Sequence, residues 1–304
     1  MATYLVTQAT GHQSQWVVTH LLAAGVKVNA IVRDPSKIPD ILKRPGVTVF
    51  KGESVNYDDV FNAAQGCAGV FLNTFPIPGV ELWQAKTILE ASQKAGVKTV
   101  VASTVMAAGQ KAMWDDAATK ETYLLDYFRS KHAVEDAVRR AGFDAWTILR
   151  PAFCHFDYMI PGCYGNFAKL ATDGELDHYY NEGARMPQTD TSDIGKYAAA
   201  ALQDPAKFAS QDIDVASANL TIKEVRDVLV RITGREVTAR KRTPEDGQPL
   251  PGHRFQMWAN FKDFSSVMQG AKDAQAKFGI PFTPFEEALQ RDKSRVLECI
   301  PAKA

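Results

Sequence analysis

Tyr4-Leu-Val-Thr-Gln-Ala-Thr-Gly-His-Gln-Ser14 followed by Gln15-Trp-Val-Val-Thr-His-Leu-Leu-Ala-Ala-Gly25 reads as a short apolar strand, a tight turn and an amphipathic helix. Few folds begin this way, because a buried strand running straight into a helix commits the chain to a βαβ crossover. The turn carries one glycine, Gly11, while Gln8 and Ser14 stand where a phosphate-cradling turn places two more.

The alternation continues through the first half of the chain. Strand-like runs fall at Tyr4–Val6, Val28–Val32, Val47–Phe50, Val70–Thr74, Val97–Ala102 and Trp146–Leu149. Helical patterns lie between them at Trp16–Ala24, Tyr57–Ala64, Glu81–Ala95 and Leu124–Ala141. Gly25, Gly96 and Gly142 follow the last turns of three of these, where a left-handed cap favours glycine. The pattern predicts an α/β fold, a Rossmann-type doubly wound parallel sheet with helices on both faces. Right-handed crossovers then bring the loops after the strands to one edge, where such sheets bind their ligands.

Past Arg150-Pro151 the rhythm changes. Residues 152–187 are rich in Phe, Tyr, Gly and Pro without a clean period, and read as a substrate-facing segment of loops and short helices. A helix starts near Thr191, capped by Ser192 or Asp193, and Asp212–Ala216 is strand-like. Thr221-Ile-Lys-Glu224 is a capping box opening a helix to Thr233. Phe255, Trp258, Phe261, Phe264, Phe278, Phe282 and Phe285 mark tail helices that pack as a small lobe. The expected organisation is a dinucleotide-binding core of 1–155, with 188–216 returning to it. A smaller C-terminal α/β substrate lobe takes 156–187 and 217–304.

Composition narrows the classes of partner. The 304 residues carry zero formal net charge, so no global field draws the chain to nucleic acid or to an anionic membrane. No apolar run reaches 18 residues and no basic leader precedes the first strand, which predicts a cytoplasmic protein. Cys67, Cys154, Cys163 and Cys299 show no C-x-x-C spacing and read as inert thiols of a reducing compartment. The six histidines form no ligand set, so no metal is expected and the site should be organic, with a small-molecule partner and homodimerisation left open.

A turn of this kind brings backbone N–H groups to a pyrophosphate at a helix N-terminus. Thr7, Gln8, Thr10, Gly11, His12 and Gln13 are the candidate contacts. If the backbone at Gln8 needs a positive φ, a non-glycine residue costs about 1–2 kcal/mol there. A plain βα turn with no nucleotide is the competing reading. The second strand ends at Arg33, with Lys37 on the next turn. An arginine at that position suits a 2′-phosphate where an acid would suit a 2′-hydroxyl, so NADP is favoured over NAD unless Arg33 is a solvated surface cation.

Tyr127-Phe-Arg-Ser-Lys131 places a phenol and an ammonium four residues apart on one helical face. A neighbouring lysine favours the phenolate and tunes the tyrosine as a general acid for a carbonyl or alcohol. The spacing alone arises often by chance; its location on the helix after the fifth strand gives it weight. That strand ends at Ser103-Thr104, whose hydroxyls are candidates to polarise a carbonyl oxygen in the same crevice.

Taken together these residues resemble the short-chain dehydrogenases/reductases, and more closely the atypical NmrA-like branch. The resemblance covers about residues 3–235. It is carried by Thr7-x-Ala-Thr-Gly11, Val32-Arg33-Asp34, Lys51-Gly52-Glu53, Gly96 to Ser103, Ser130-Lys131-x-x-x-Glu135, Ile148 to Pro151, Asp193-Ile-Gly195, and Leu220-Thr221 with Thr233-Gly234. It implies NADP(H) across residues 7–14, with Arg33 on the adenosine phosphate and residues 73–76 (Asn73, Thr74, Phe75) beside the ribose. It further implies Lys131 on the nicotinamide ribose, and residues 151–155, including Pro151 and Phe153, near the nicotinamide. The loop departs from the family pattern at Gln8 and Ser14, whereas Tyr127, which many NmrA-like regulators lack, is present.

The leading expectation is an NADPH-dependent oxidoreductase that reduces a carbonyl, quinone or activated C=C of a small apolar or aromatic molecule. Tyr127 would donate the proton, Lys131 tune it, and Ser103 or Thr104 polarise the oxygen. Trp83, Met113, Trp114, His155, Phe156 and Tyr158, together with Phe153, would wall the substrate pocket. The alternatives are a non-catalytic NADP(H)-sensing regulator and a non-redox isomerase or dehydratase on the same fold.

Overall fold

The computed structural model describes residues 1–77 and 79–302. Two compact units emerge, the first made of Met1–Gly109, Asp126–Pro151 and Thr191–Ile213. The second comprises Gln110–Leu125, Ala152–Asp190 and the chain from Asp214 onward. The expected core ran unbroken to residue 155, whereas Gln110–Leu125 groups with the second unit.

The central sheet is built from β1 (Thr3–Val6), β2 (Lys27–Val32), β3 (Val47–Lys51), β4 (Gly69–Leu72), β5 (Thr99–Ser103) and β6 (Ala145–Pro151). Their order is β6-β5-β4-β1-β2-β3, and every pair in that series is parallel. Strand Gln211–Val215 adds a seventh, beside β6. Every residue of β4 and β5 is buried, as a parallel strand covered on both faces requires.

Four helices cross between these strands or follow them: α1 (His12–Ala23), α2 (Tyr57–Ala64), α3 (Val80–Lys94) and α4 (Leu125–Arg140). Leu5, Val70, Leu72, Val100, Ala102 and Ile148 from the sheet pack with Val60, Ile88, Leu89, Val134 and Val138 from the helices. Each of the Val, Leu and Ile side chains contributes about 1.5–3 kcal/mol when fully buried.

Local chemistry explains where elements begin and end. Gly25, Gly96 and Gly142 hold φ of 75°, 87° and 78°, the cap conformation expected of them. Val97 was expected to open β5, but its N–H still donates to Ser92 O at 3.0 Å and closes the helix, so the strand starts at Thr99. Likewise β4 stops at Leu72 rather than Thr74, because the Asn73 N–H leaves the ladder for the Thr7 hydroxyl, at 2.9 Å.

α5 (Thr191–Gln203) also belongs to the first unit. Ser192 and Asp193 lie inside its first turn instead of capping it, bonding His20 (3.0 Å) and Lys196 (2.7 Å). A Cβ at Gly195 would meet the Trp16 backbone at 2.7 Å, so the glycine is what lets α5 cross α1 closely. The Asp193-Ile-Gly195 motif therefore serves a helix crossing.

The second unit contains two small sheets. In one, β11 (Ala218–Thr221) runs antiparallel to β9 (Arg185–Thr189), which pairs in parallel with β7 (Phe153–Cys154). The other joins β8 (Glu175–His178) to β12 (Thr238–Lys241), the strand Gln211–Val215 being β10 in this numbering. Thr221 and Glu224 form the expected capping box on the helix Ile222–Thr233. Among the tail aromatics Trp258, Phe264, Phe278, Phe282 and Phe285 are buried, while Phe261 is exposed. No helix is long and apolar enough to cross a membrane among the described residues.

Candidate functional site

The turn from β1 into α1 is stitched to its neighbours by short side chains. The Thr7 hydroxyl lies 3.0 Å from Phe71 O and 3.1 Å from Asn73 O, and accepts the Asn73 N–H. Buried Ser14 donates its hydroxyl to Thr7 O at 2.9 Å. A glycine in that place could not make this bond, so the serine closes the helix–strand contact in its own way. Gln8 adopts φ 50°, the left-handed conformation in which a side chain is strained. Gly11 N–H donates to Gln8 O at 2.8 Å, and a Cβ on Gly11 would meet that oxygen at 3.2 Å.

Gly11 itself stands at the N-cap of α1, with no side-chain cap and no acidic residue in the first turn. The uncapped N-terminus of a twelve-residue helix whose first turn holds no acidic residue favours an anion. Gln13, the second residue of α1, accepts a 2.7 Å hydrogen bond from the Ser103 hydroxyl at the end of β5. Two residues expected in separate roles thus meet in one bond.

A cleft of about 280 Å³ opens beside this turn. Gln8 and Thr10 line it from the turn, Arg33 from the end of β2, and Gly52–Val55 from the loop after β3. Phe75, Ile77, Val80 and Gln84 close it from the side of β4 and α3. Arg33 is exposed there, and no carboxylate pairs with it among the described residues. Lys37 does not line the cleft. It pairs with Asp34 at 3.6 Å, whose carboxyl is held below its usual value by hydrogen bonds from Ser36.

Tyr127 and Lys131 share a face of α4, with the Lys131 Nζ 5.6 Å from the centre of the phenol ring. The closest partner of that ammonium is Glu81 Oε1, 2.6 Å away and fully buried. Glu81 also accepts the hydroxyls of Thr74 (2.8 Å) and Ser130 (2.7 Å). Phe75 is fixed similarly, its N–H donating to Gln84 Oε1 at 2.8 Å. Neither Glu81 nor Gln84 was singled out from sequence as a site residue. Both sit in the first turns of α3 without a motif, and their roles arise from contacts to other elements.

Thr104 departs from expectation. Its hydroxyl donates to Glu135 Oε1 at 2.9 Å, within a buried network in which Arg150 bonds both Glu135 oxygens at 2.9 and 2.7 Å. Burial would raise the Glu135 pKa, but Arg150, Thr104 and Arg139 outweigh it and hold the carboxyl below its ordinary value. The Thr104 hydroxyl is thus engaged in the Glu135 network, whereas the Ser103 hydroxyl bonds to the α1 turn.

The aromatic residues expected to wall a substrate pocket lie in different surroundings. Trp83, in the first unit, is 56% exposed on α3. In the second unit Trp114 is 1% exposed, and Tyr158 stacks on Phe167 at 5.2 Å with its hydroxyl donating to Gln188 at 3.3 Å. Both are core residues, and burial pushes the Tyr158 phenol well up. His155 lies between Asp190 (3.4 Å) and Asp292 (2.8 Å), with Arg291 bridging both acids. Burial opposes ionisation of Asp292, but the His155 and Arg291 bonds keep its carboxyl far below the usual range. That cluster ties three segments of the unit together. Phe153 is buried against Tyr158 and Phe167, and Met113 and Phe156 are half-buried. A separate cavity of about 290 Å³ in this unit is lined by Tyr123, Arg254 and Met257, with Arg254 5.5 Å over the Tyr123 ring.

With this geometry in view, comparison with known proteins places the chain. The profile described as the NmrA-like family matches residues 2–273. The chain belongs to the NmrA-like family. Its relatives there include the NmrA-like family domain-containing oxidoreductase malD of Malbranchea aurantiaca, 27% identical over 247 residues, 75% of this chain and 71% of that protein. Among solved structures, the negative transcriptional regulator NmrA in complex with NADP superposes with a TM-score of 0.74 at 19% identity, covering 97% of this chain and 96% of NmrA. The NADPH-dependent quinone oxidoreductase of Escherichia coli, complexed with NADPH, gives 0.69 at 19% identity, covering 95% and 99%. At such identities the NmrA-like structures share the fold alone with this chain. The NmrA-like fold accounts for the seven-stranded sheet and for the strand–turn–helix from which the site is built.

Proposed function

We propose that this NmrA-like protein is an NADPH-dependent oxidoreductase that reduces a carbonyl, quinone or activated C=C of a small apolar or aromatic molecule. The observation that carries the reading is the cleft of about 280 Å³ beside the uncapped α1 N-terminus, with Arg33 at its edge. These residues fit a dinucleotide phosphate: the helix end offers a positive dipole, Gly11 keeps the turn open, and Arg33 offers a guanidinium to a 2′-phosphate. The relatives named as an oxidoreductase and as an NADPH-dependent quinone oxidoreductase support the same choice.

Bound NADPH would supply the hydride. Tyr127 would donate the proton to the substrate oxygen or carbon-linked anion, and Lys131 would hold the electrostatic environment of that phenol. Ser103, through Gln13, would fix the turn under the phosphates. The test is NADPH binding by fluorescence, followed by NADPH oxidation with a panel of quinones and aromatic ketones. Tyr127→Phe should lose about 100-fold in turnover while keeping its NADPH affinity. Unchanged turnover in that variant would remove the acid role.

A second reading, an NADP(H) sensor without turnover, is favoured by one observation: the Lys131 charge is balanced by buried Glu81 rather than left to act on a phenol. Tight NADPH binding with no acceptor reduced would select it. Absence of NADPH binding at millimolar concentration would instead leave the non-redox enzyme.

A further inference from the structure

All four cysteines are free and buried, but their surroundings differ. Cys67 donates to Ala63 O at 3.5 Å and accepts from Asn29 at 3.4 Å, and burial pushes its thiol up to about 12. Cys154 lies 3.7 Å from Ala152 O, and burial drives its thiol well above the ordinary value. Both are poor nucleophiles, because the thiolate is the reactive form. Cys163 and Cys299 come from segments 136 positions apart, yet the Cys299 Sγ donates to the Cys163 Sγ at 3.1 Å. That hydrogen bond, aided by the backbone N–H groups of Cys163 and Tyr164, outweighs burial and holds the Cys163 thiol below its ordinary value. The same bond raises the Cys299 thiol. Cys163 opens the short helix Cys163–Asn166, and Cys299 closes the helix Lys293–Cys299. The latter helix is anchored at both ends: Asp292, at its N-cap, bonds His155 at 2.8 Å, and Arg235 donates to the Leu297 and Ile300 carbonyls. Anchored backbone thus presents the two sulfurs to each other.

We propose that Cys163 and Cys299 form a reversible oxidation site, at which hydrogen peroxide converts the thiol pair into a disulfide that ties the helix Lys293–Cys299 to the segment Cys163–Asn166. A disulfide bond is about 2.05 Å long, so sulfurs 3.1 Å apart have about 1 Å left to close. Cys163 is the attacking group. Its thiolate bonds to one peroxide oxygen as the O–O bond breaks, giving the sulfenic acid, and the hydroxide released takes up the proton that Cys163 had lost. Cys299 then attacks the Cys163 sulfur. The S–S bond forms as the S–O bond breaks, and the hydroxyl leaves with the Cys299 proton as water. The thiol pair thus loses two electrons and the peroxide becomes two waters. A small oxidant suits a pair with no exposed surface. Half-buried Asp157 is the titratable neighbour of Cys163: burial first, and the Cys163 charge second, push its carboxyl up to about 7, so near neutral pH it is partly protonated beside the sulfur. Both thiols belong to the second unit, and their chemistry involves no nucleotide.

The test is peroxide treatment of the folded, pre-reduced protein, followed by denaturation, alkylation of the remaining thiols and peptide mass spectrometry. A Cys163–Cys299 cross-linked peptide should appear, and the thiols titrated in denaturant should fall from four to two, with Cys67 and Cys154 alkylated. Dithiothreitol should restore all four. In Cys299→Ser the Cys163 sulfenic acid has lost its partner thiol and should be trapped by dimedone, whereas Cys163→Ser should give no such adduct at Cys299. The oxidised protein should unfold at a higher urea midpoint, because the cross-link closes a long loop in the unfolded chain. Four thiols left after prolonged exposure to millimolar peroxide, a disulfide through Cys67 or Cys154, or a midpoint that does not rise would each overturn the proposal. Should the serine variants not fold, the wild-type peptide map and thiol count decide by themselves.

Discussion

The Gly11 N–H donates to the Gln8 carbonyl at 2.8 Å, closing the β1–α1 turn over a glutamine held at φ 50°. The strain of that conformation is about 1–2 kcal/mol for a non-glycine residue. Replacing Gln8 by glycine removes it, while a freer unfolded chain returns about 0.4–1 kcal/mol of the gain. Gln8→Gly should therefore be more stable by up to about 1.5 kcal/mol in urea denaturation. A loss of more than about 1 kcal/mol would mean that the glutamine side chain holds the turn in a way the backbone does not reveal.

The Thr104 hydroxyl sits in the buried network around Glu135. Its 2.9 Å bond to Glu135 is one of several in that network, so Thr104→Ala should cost about 1 kcal/mol of stability and leave kcat/KM within about threefold. Glu135→Ala removes the buried partner of Arg150, which keeps Asp212 at 2.7 Å, and should cost up to about 3 kcal/mol. Chemical denaturation alongside steady-state kinetics reads both effects, and a 100-fold loss of turnover in a stable Thr104→Ala protein would restore a catalytic role.

Stability should fall on mild acidification because of His178. Burial first, and Lys241 second, depress its pKa to about 4 from an ordinary 6.5, and its Nδ1 accepts the Tyr180 N–H at 3.1 Å. Below 6.5 the unfolded chain takes up a proton that the folded protein refuses, so the stability present above 6.5 is lost as the pH falls toward 4. The loss should reach about 3 kcal/mol over that window, and His178→Phe should flatten the slope there. A stability curve equally steep in both proteins would refute the assignment.

Much of the fold could be read from local sequence. The helix over Tyr57–Ala64, the glycine caps at 25, 96 and 142, and the Thr221/Glu224 capping box are all set by residues within a turn of one another. Legibility failed where distant segments decide. Glu81 meets Lys131 across fifty positions, and Thr104 meets Glu135 across thirty-one, so neither partner is visible as a spacing. Trp83, Trp114, His155 and Tyr158 looked alike as a pocket wall, yet they are respectively exposed, core, ion-clamped and core. An aromatic residue's periodicity tells that it is near a helix face and not which face the fold covers. Arg33 follows directly on the last residue of β2 and lines the cleft, a position its own local sequence sets.

The central claim is a dinucleotide site at the α1 turn that favours the 2′-phosphate through Arg33, and one titration tests it most directly. NADPH and NADH binding are measured by fluorescence in the wild type and in Arg33→Ala. The account predicts that the wild type prefers NADPH and that Arg33→Ala loses about 10- to 100-fold in NADPH affinity, with NADH affinity little changed. Equal loss of both nucleotides, or no loss of either, would contradict it.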